Sequence, residues 1–300
     1  FEISGRYRNF DGAFKFSIGG NITFVRNEVV SLGTGVENLV SEPSGRIGGS
    51  ISNTFLGQPI AEFYGFKTMG VFQNQEEVDN YVDAEGNLIQ PNAKPGDFIF
   101  ADLAGAFDEN GNPVPDGKIN DDDRTTIGSP HPDFSYGFNF SAKYKGFDLD
   151  VFLQGQYGNQ IFMYQKFYNY KGYYSNFNQI AGIDKTAWSA AGSTNTEPAL
   201  NHLSRNNNHR LSDWWLSDGS YMRVKNVTFG YNLPSRWLNS ISNGAAVKIY
   251  VTGENLFTFT NYEGLDPELG SAGSTSLELG VDRYVYPVGR TFLGGVRLTF

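Results

Sequence analysis

Apolar and polar residues alternate along several long segments of the chain. In the segment FSYGFNFSAKY, every second residue from Phe134 to Tyr144 is apolar or aromatic. In the closing segment TFLGGVRLTF, the apolar residues Phe292, Val296, Leu298 and Phe300 all occupy the same set of alternate positions. Period-two alternation is typical of a β-strand with one apolar face and one polar face. Comparable segments occur at 13–25, 147–158, 220–233 and 246–257. The chain is therefore predicted to be all-β.

These segments are about ten to thirteen residues long, roughly twice the typical length of a strand in a soluble protein. A tilted strand that crosses a bilayer needs about 9–11 residues. The polar faces also carry charged side chains, which are incompatible with the dry core of a sandwich. An apolar outside and a wet inside favour an antiparallel transmembrane β-barrel over a soluble sandwich or jelly roll. The phase changes between Val224 and Val227, which predicts a β-bulge near Lys225–Asn226.

The connections between the segments fall into two length classes. Three are short, at 9–12, 144–146 and 232–245, and three are long, at about 26–132, 158–219 and 258–288. Outer-membrane barrels have short periplasmic turns and long extracellular loops. Residues 61–103 contain two further apolar runs, which form either another pair of spanning strands or a hairpin above the membrane. We expect the hairpin, because Lys67 and the flanking glycines weaken a lipid-facing surface. About seven to nine spanning strands are expected, and seven cannot close a barrel alone.

Composition narrows the class of protein. The net charge of −9 argues against binding to nucleic acid, which requires a basic face. The absence of cysteine excludes disulfides and thiol chemistry. No apolar run is long enough for a transmembrane helix. The chain opens directly in strand-like sequence, FEISGRYRNF, so we expect it to be a piece of a longer protein.

An acidic segment, PDGKINDDDR (115–124), resembles the second half of a calcium-binding EF-hand loop. Asp116 and Asp123 fit two of its ligand positions, but Val114 occupies a position that should hold an oxygen ligand. A hairpin turn at Asn110–Gly111 is expected to bring Asp102 close to Asp116. The sequence thus predicts a possible Ca²⁺ site in the 102–123 loop. The alternative is an acidic external loop held by Asx turns.

The segment FMYQKFYNYKGYYSNF (162–177) concentrates aromatic residues directly after a predicted strand. One interpretation is an interfacial aromatic girdle with loop packing. The other is a platform that stacks on sugar rings or peptide side chains. Its predicted contact residues are Tyr168, Tyr170, Tyr173 and Tyr174. Trp214 and Trp215 are expected near the outer membrane boundary, facing this platform.

No catalytic motif is present. The three histidines lack the spacing of a zinc site, and no nucleophile elbow, P-loop or dinucleotide-binding glycine pattern occurs. Glu76 and Glu77 lie in a short helical pattern, NQEEVDNY, which is typical of a solvated face rather than of paired glycosidase carboxylates. The chain is therefore not expected to be an enzyme.

Five long motifs follow one another along the chain. They are LGQPIAEFYGFKTMGVFQNQEEVDNY (56–81), DGKINDDDRTTIGSPHPDFSYGFNFSAKYKGFDLDVFLQGQYGNQIF (116–162), SDGSYMRVKNVTFGYNLP (217–234), TGENLFTFTNYEGLDPE (252–268) and YPVGRTFLGGVRLTF (286–300). In content and in order they resemble the C-terminal part of the SusC/RagA-type TonB-dependent outer-membrane transporters.

The resemblance implies that residues 1–300 are the C-terminal portion of a 22-stranded barrel in the outer membrane of a Gram-negative bacterium. Such a barrel lies in outer-membrane lipid, holds an N-terminal plug absent from this chain and is powered through that region by TonB. A SusD-like lipoprotein caps it, and the pair imports oligosaccharides or peptides. Gly295, Leu298 and Phe300 fit the family's terminal membrane-assembly signal. The alternative is a soluble secreted glycan-binding module or glycosidase with a structural calcium.

Overall fold

The computed structural model describes residues 1–42, 47–169, 178–200, 206–234, 237, 245–269 and 276–299. In chain order the strands of the first half are β1 (Glu2–Asn9), β2 (Phe14–Thr23), β3 (Asn38–Val40), β4 (Ser52–Phe55), β5 (Glu62–Gly65), β6 (Thr68–Val71), β7 (Phe98–Phe100), β8 (Gly105–Phe107), β9 (Pro113–Pro115), β10 (Thr125–Gly128) and β11 (Phe134–Tyr144). Those of the second half are β12 (Phe147–Tyr157), β13 (Gln160–Met163), β14 (Leu216–Asp218), β15 (Tyr221–Asn232), β16 (Ala246–Thr260), β17 (Val281–Asp282) and β18 (Thr291–Thr299).

The helical segments are short. They are α1 (Gln75–Asn80), α2 (Lys166–Asn169), α3 (Ile183–Thr186) and single 3₁₀ turns at Asp121–Asp123 and Asp213–Trp215. Across the described ranges, no helix has the length and apolar character needed to span a membrane.

Seven long strands form one antiparallel sheet in the order β1-β2-β11-β12-β15-β16-β18. Each strand therefore pairs with the long strand that precedes or follows it in the chain. The three short connections lie at one end of this sheet and the three long ones at the other, as the sequence predicted. We call the sheet the wall, and its ends the short-link end and the long-link end.

The two faces of the wall differ sharply in chemistry. Cross-strand pairs on one face are apolar, such as Ala142 with Leu149 and Phe229 with Val251. On the other face Lys143 lies opposite Asp148. Within the described strands of the wall, every charged residue in regular alternation lies on this polar face. Such a division is typical of a transmembrane barrel, with lipid outside and water inside.

Aromatic side chains gather at both ends of the apolar face. At the short-link end the ring of Phe147 lies 4.6 Å from that of Tyr231 and 5.6 Å from that of Phe229, centroid to centroid. At the long-link end Phe134 stacks on Tyr157 at 5.4 Å. Aromatic girdles of this kind mark the two interfaces of a membrane-spanning band.

The predicted β-bulge is confirmed. Against β12 the pairing of β15 shifts between Val224 and Asn226, which leaves Lys225 as the extra residue. Against β16 the pairing shifts at the same place, but there the extra residue lies in β16, between Glu254 and Phe257. Val224 and Val227 consequently both lie on the apolar face, although they are three positions apart.

The long connections fold together into one packed structure, which we call the outer body: the described residues of 24–133, 158–220 and 261–290. Its strands form four small sheets, ordered β10-β5-β4-β3, β14-β13-β17, β6-β7 and β8-β9. Its main core includes Phe63, Phe162 and Val281, one from each of the three long connections. Strands β5, β6 and β7 have only three or four residues, too few to span a bilayer, so residues 61–103 lie outside the wall as expected.

Candidate functional site

The outer body joins the polar face of the wall through an ion-pair cluster. Arg223 of β15 donates from Nη2 to Asp266 and, at 2.6 Å, from Nη1 to Glu268. Its Nε donates to the hydroxyl of Thr258 at 2.9 Å. Lys225 donates to both carboxylate oxygens of Glu268 at 2.8 Å. Two cations on the wall thus meet two anions of the last long connection.

The central pair of this cluster is buried. The side chains of Arg223 and Asp266 are 3% and 4% exposed. Burial opposes ionisation of Asp266, but hydrogen bonds from Arg223 and from the backbone N–H groups of Val288 and Glu268 outweigh it. The pKa of Asp266 is consequently held below its usual value. A buried charge of this kind is tolerated only while its partner is present.

A second buried contact joins two parts of the same connection, and one of them pairs with the rest of the outer body. The hydroxyl of Tyr262 donates to Asp282 at 2.5 Å, and the other oxygen of Asp282 accepts from the N–H of Val285. Burial and the Asp282 carboxylate raise the pKa of Tyr262, so the phenol remains protonated. Asp282 belongs to β17, which pairs in parallel with β13. The last connection therefore ties the wall to the outer body.

Of the four predicted contact tyrosines, Tyr168 lies within the residues that the structure describes. It is half-buried, and its ring lies 5.1 Å from that of Phe167 and 5.8 Å from that of Tyr284. It packs against the main core of the outer body. Tyr170, Tyr173 and Tyr174 lie outside the described residues. The contact role of these tyrosines stays a prediction.

Trp214 and Trp215 pack against Phe162 and Lys166 of the 162–177 segment, as expected, but both rings are buried. Trp215 is 0% exposed and stacks on Phe162 at 5.4 Å with the rings 4° from parallel. Trp214 is also buried, so neither indole is available to a cargo or to lipid. The short 3₁₀ turn at Asp213–Trp215 turns both rings into the core of the outer body. A sequence pattern cannot separate such core aromatics from girdle aromatics.

A buried lysine lies beside these tryptophans and was not identified from the sequence. Lys166 donates from Nζ to the carbonyl of Trp214 at 2.6 Å and lies 4.8 Å from the centre of its ring. The indole N–H of Trp214 donates to Glu197 at 2.9 Å. Burial lowers the pKa of Lys166 and raises that of Glu197. These contacts hold α2 and the 187–200 segment together.

The predicted calcium residues are close together, and their oxygens accept hydrogen bonds from the backbone. The hairpin of β8 and β9 brings Asp102 to the N–H groups of Asp116 and Gly117, at 3.2 and 2.8 Å. Asp123 is buried and accepts from the N–H groups of Leu103, Ala104 and Asn120. Most of these bonds join distant residues, up to 20 positions apart, so they cross-link the loop. Asp116 adds a local Asx turn by accepting from the N–H of Lys118 at 3.0 Å.

Among the residues that the structure describes, no group of three or more His, Cys, Asp and Glu side chains is placed to hold a metal ion. Burial raises the pKa of Asp102, and the nearby charges of Asp123 and Asp116 act in the same direction against backbone hydrogen bonds that lower it. Calcium binding at Asp102, Asp116 and Asp123 stays a prediction.

The predicted assembly residues lie on β18. Leu298 is exposed on the apolar face, opposite Val247. Gly295 lies on the polar face beneath Tyr250, whose ring occupies the space that a Cβ would need. Phe300 lies outside the described residues. Their role in assembly stays a prediction.

Comparisons with known proteins agree with this architecture. No family model matches the chain. It is 32% identical over 309 residues to TonB-dependent receptor P3 of Formosa agariphila, covering 100% of this chain and 28% of that protein. It is 26% identical to TonB-dependent receptor SusC of Bacteroides thetaiotaomicron, covering 96% and 24%. The solved RagAB peptide importer in its open-open state matches with a TM-score of 0.72 and 20% identity, covering 100% and 28%.

The wall, its two faces and the solved structure define the class as a transmembrane β-barrel protein. The chain belongs to the TonB-dependent receptors of the SusC/RagA type, and the resemblance carried by its motifs is confirmed. It spans about a quarter of the length of the curated relatives it matches. These relatives are receptors and importers, which agrees with the expectation that the chain is not an enzyme.

Proposed function

We propose that this chain is the C-terminal barrel portion of an importer in the outer membrane of a Gram-negative bacterium. The observation that carries the proposal is the two-faced wall, matched along its whole length by TonB-dependent receptors. The apolar face contacts outer-membrane lipid and the polar face lines the lumen. TonB supplies the energy through a part of the protein outside this chain.

The cargo is an oligosaccharide or a peptide. A RagAB structure that matches this fold is that of a peptide importer. Aromatic rings in the 162–177 segment suit sugars and peptides alike, because both present apolar surfaces that stack on a ring. A SusD-like lipoprotein caps the outer side and encloses the cargo. The outer body supplies the rim on which it rests.

Fractionation tests the membrane assignment. The intact protein should be recovered with the outer membrane and should require detergent for extraction. Recovery from the soluble periplasm without detergent would end the barrel proposal and favour a soluble glycan-binding module or glycosidase.

Alanine substitution tests the rim. Replacing Tyr170, Tyr173 and Tyr174 together should weaken uptake or the co-purification of the lipoprotein, with barrel abundance unchanged. Tyr168 is treated separately because it packs on the core. Tyr168→Phe keeps that packing and serves as the control for Tyr168→Ala. If uptake and co-purification both survive all the alanine changes, the segment serves packing only.

A further inference from the structure

The segment 261–269 covers the polar face of the wall near its long-link end. Arg223 lies on that face, because its cross-strand partners are Gln154 and Thr258. Its side chain is nevertheless almost completely buried, since Asp266 and Glu268 lie over it. The segment therefore lies against the polar face of the wall, on the side opposite the apolar face.

Asp266 contacts both the part of the last connection that follows β16 and the part that precedes β18. One of its oxygens pairs with Arg223 and accepts from the N–H of Glu268, and the other accepts from the N–H of Val288 at 3.0 Å. A single carboxylate thus fixes the chain that leaves β16 and the chain that leads into β18. Leu265, next to it, is exposed on the opposite side of the segment.

We propose that Arg223, Lys225, Asp266 and Glu268 form a latch that holds segment 261–269 inside the outer mouth of the lumen, and that the latched segment limits the size of what enters. The inference rests on the proposed import function, in which the polar face lines the path of the cargo. The four residues are positioning residues, because they act through the segment that they hold.

Charge balance explains why the latch is closed. Two cations face two anions, so the cluster has no net charge and its buried members are paired. Replacing the two carboxylates by amides keeps their shape and leaves the buried guanidinium of Arg223 without a counter-charge. Such a group gains by returning to water, which favours release of the segment.

The first readout is the mobility of the segment in the intact transporter. Residues 1–300 contain no cysteine, so Leu265→Cys adds the first one to this part of the protein. Any cysteine elsewhere in the intact transporter is first replaced by serine, which makes position 265 the single spin-label site. We expect Asp266→Asn with Glu268→Gln to make the label clearly more mobile. The matched control is Lys248→Gln, which breaks the Lys248–Asp148 pair on the same face at the short-link end. The control should leave the label as immobile as in the parent protein.

The second readout is access to the lumen. Asp150 is exposed on the polar face, deeper than Arg223 along the wall, so Asp150→Cys reports on what passes the segment. A small maleimide and a polyethylene-glycol maleimide are added from outside the cell. The latch variant should raise the reaction rate with the large reagent several-fold more than that with the small one. The control should change neither.

Each outcome decides one part of the proposal. An immobile label in the latch variant overturns the latch, and a mobile label with unchanged access overturns the size limit. If the double variant does not reach the membrane, Glu268→Gln alone keeps the buried Arg223–Asp266 pair and should give a smaller change of the same sign. Neither readout uses transport, so a failure of the import proposal is seen separately, as absence of uptake by the parent protein.

Discussion

A lysine on the apolar face of the wall tests the assignment of the two faces. Val251 lies on that face between Phe229 and Gly294, and its side chain is 58% exposed in this chain. In the membrane this surface contacts lipid, so Val251→Lys places an ammonium group in hydrocarbon. We therefore expect the substitution to destabilise the barrel.

The depth of Val251 sets the size of the effect. Strand β16 has 15 residues and begins at Ala246, which makes Val251 its sixth. At about 3.3 Å per residue and a tilt of about 40°, it lies roughly 13 Å above the first residue along the membrane normal. An apolar band about 25 Å tall that begins at Ala246 has its middle at this level. The expected cost is about 2–4 kcal/mol, the range for lysine at the midplane.

The control is a lysine on the polar face. Asn139 is exposed, and its partners Gly19 and Phe152 leave room beside it. Thr252 is less suitable, because it is only 9% exposed and its hydroxyl bonds to that of Thr228 at 2.8 Å. Guanidinium unfolding of the intact transporter in lipid vesicles measures both variants. Equal losses for Val251→Lys and Asn139→Lys would show that the faces are assigned wrongly.

Deleting Phe300 from the intact transporter should lower its outer-membrane level with little change in transcript, and unchanged surface abundance would contradict an assembly role. If the 102–123 loop binds Ca²⁺, the ion should raise the midpoint of thermal unfolding of the wild type. Asp116→Ala should abolish that gain. The absence of any gain in the wild type would refute the site. Asp123→Ala is less informative than Asp116→Ala, because buried Asp123 accepts from three backbone N–H groups, whereas Asp116 accepts from the N–H of Lys118. In the folded state the pKa of Asp266 lies below its ordinary value of 3.8. The stability that its ion pair contributes should therefore be complete above pH 3.8 and lost as the pH falls through the lower folded value. A spin label at Leu265 that stays immobile throughout acidification would contradict this.

The wall could be predicted from the sequence because the membrane imposes one rule on every residue of a spanning strand. Lipid on one side and water on the other force period-two alternation, and the bulge at Lys225 showed itself as a break in that period. The lengths of the connections then fixed which end of the wall is which. Each of these signals is local, so a single sequence contains it.

The outer body could not be predicted in the same way, because its contacts join distant parts of the chain. Phe63, Phe162 and Trp215 meet in one core although no local pattern relates them. Arg223 and Asp266 are 43 residues apart. The contact of Asp102 with Asp116 was predictable, because the Asn110–Gly111 turn closes a hairpin between them. The tryptophans were assigned to the surface because their local pattern fits a girdle and a core equally well.

The ion-pair cluster explains why β15 contains a bulge at Lys225. Without Lys225, Val224 and Asn226 would be consecutive, and β15 would pair with β12 in regular alternation, with both valines still facing lipid. The extra residue is therefore not needed to place the apolar face, and it costs regular pairing with β12. What it adds is a second cation beside Arg223, which holds both oxygens of Glu268. The bulge in the wall and the attachment of segment 261–269 are thus one structural feature. The alternation in the sequence shows the bulge but not the attachment.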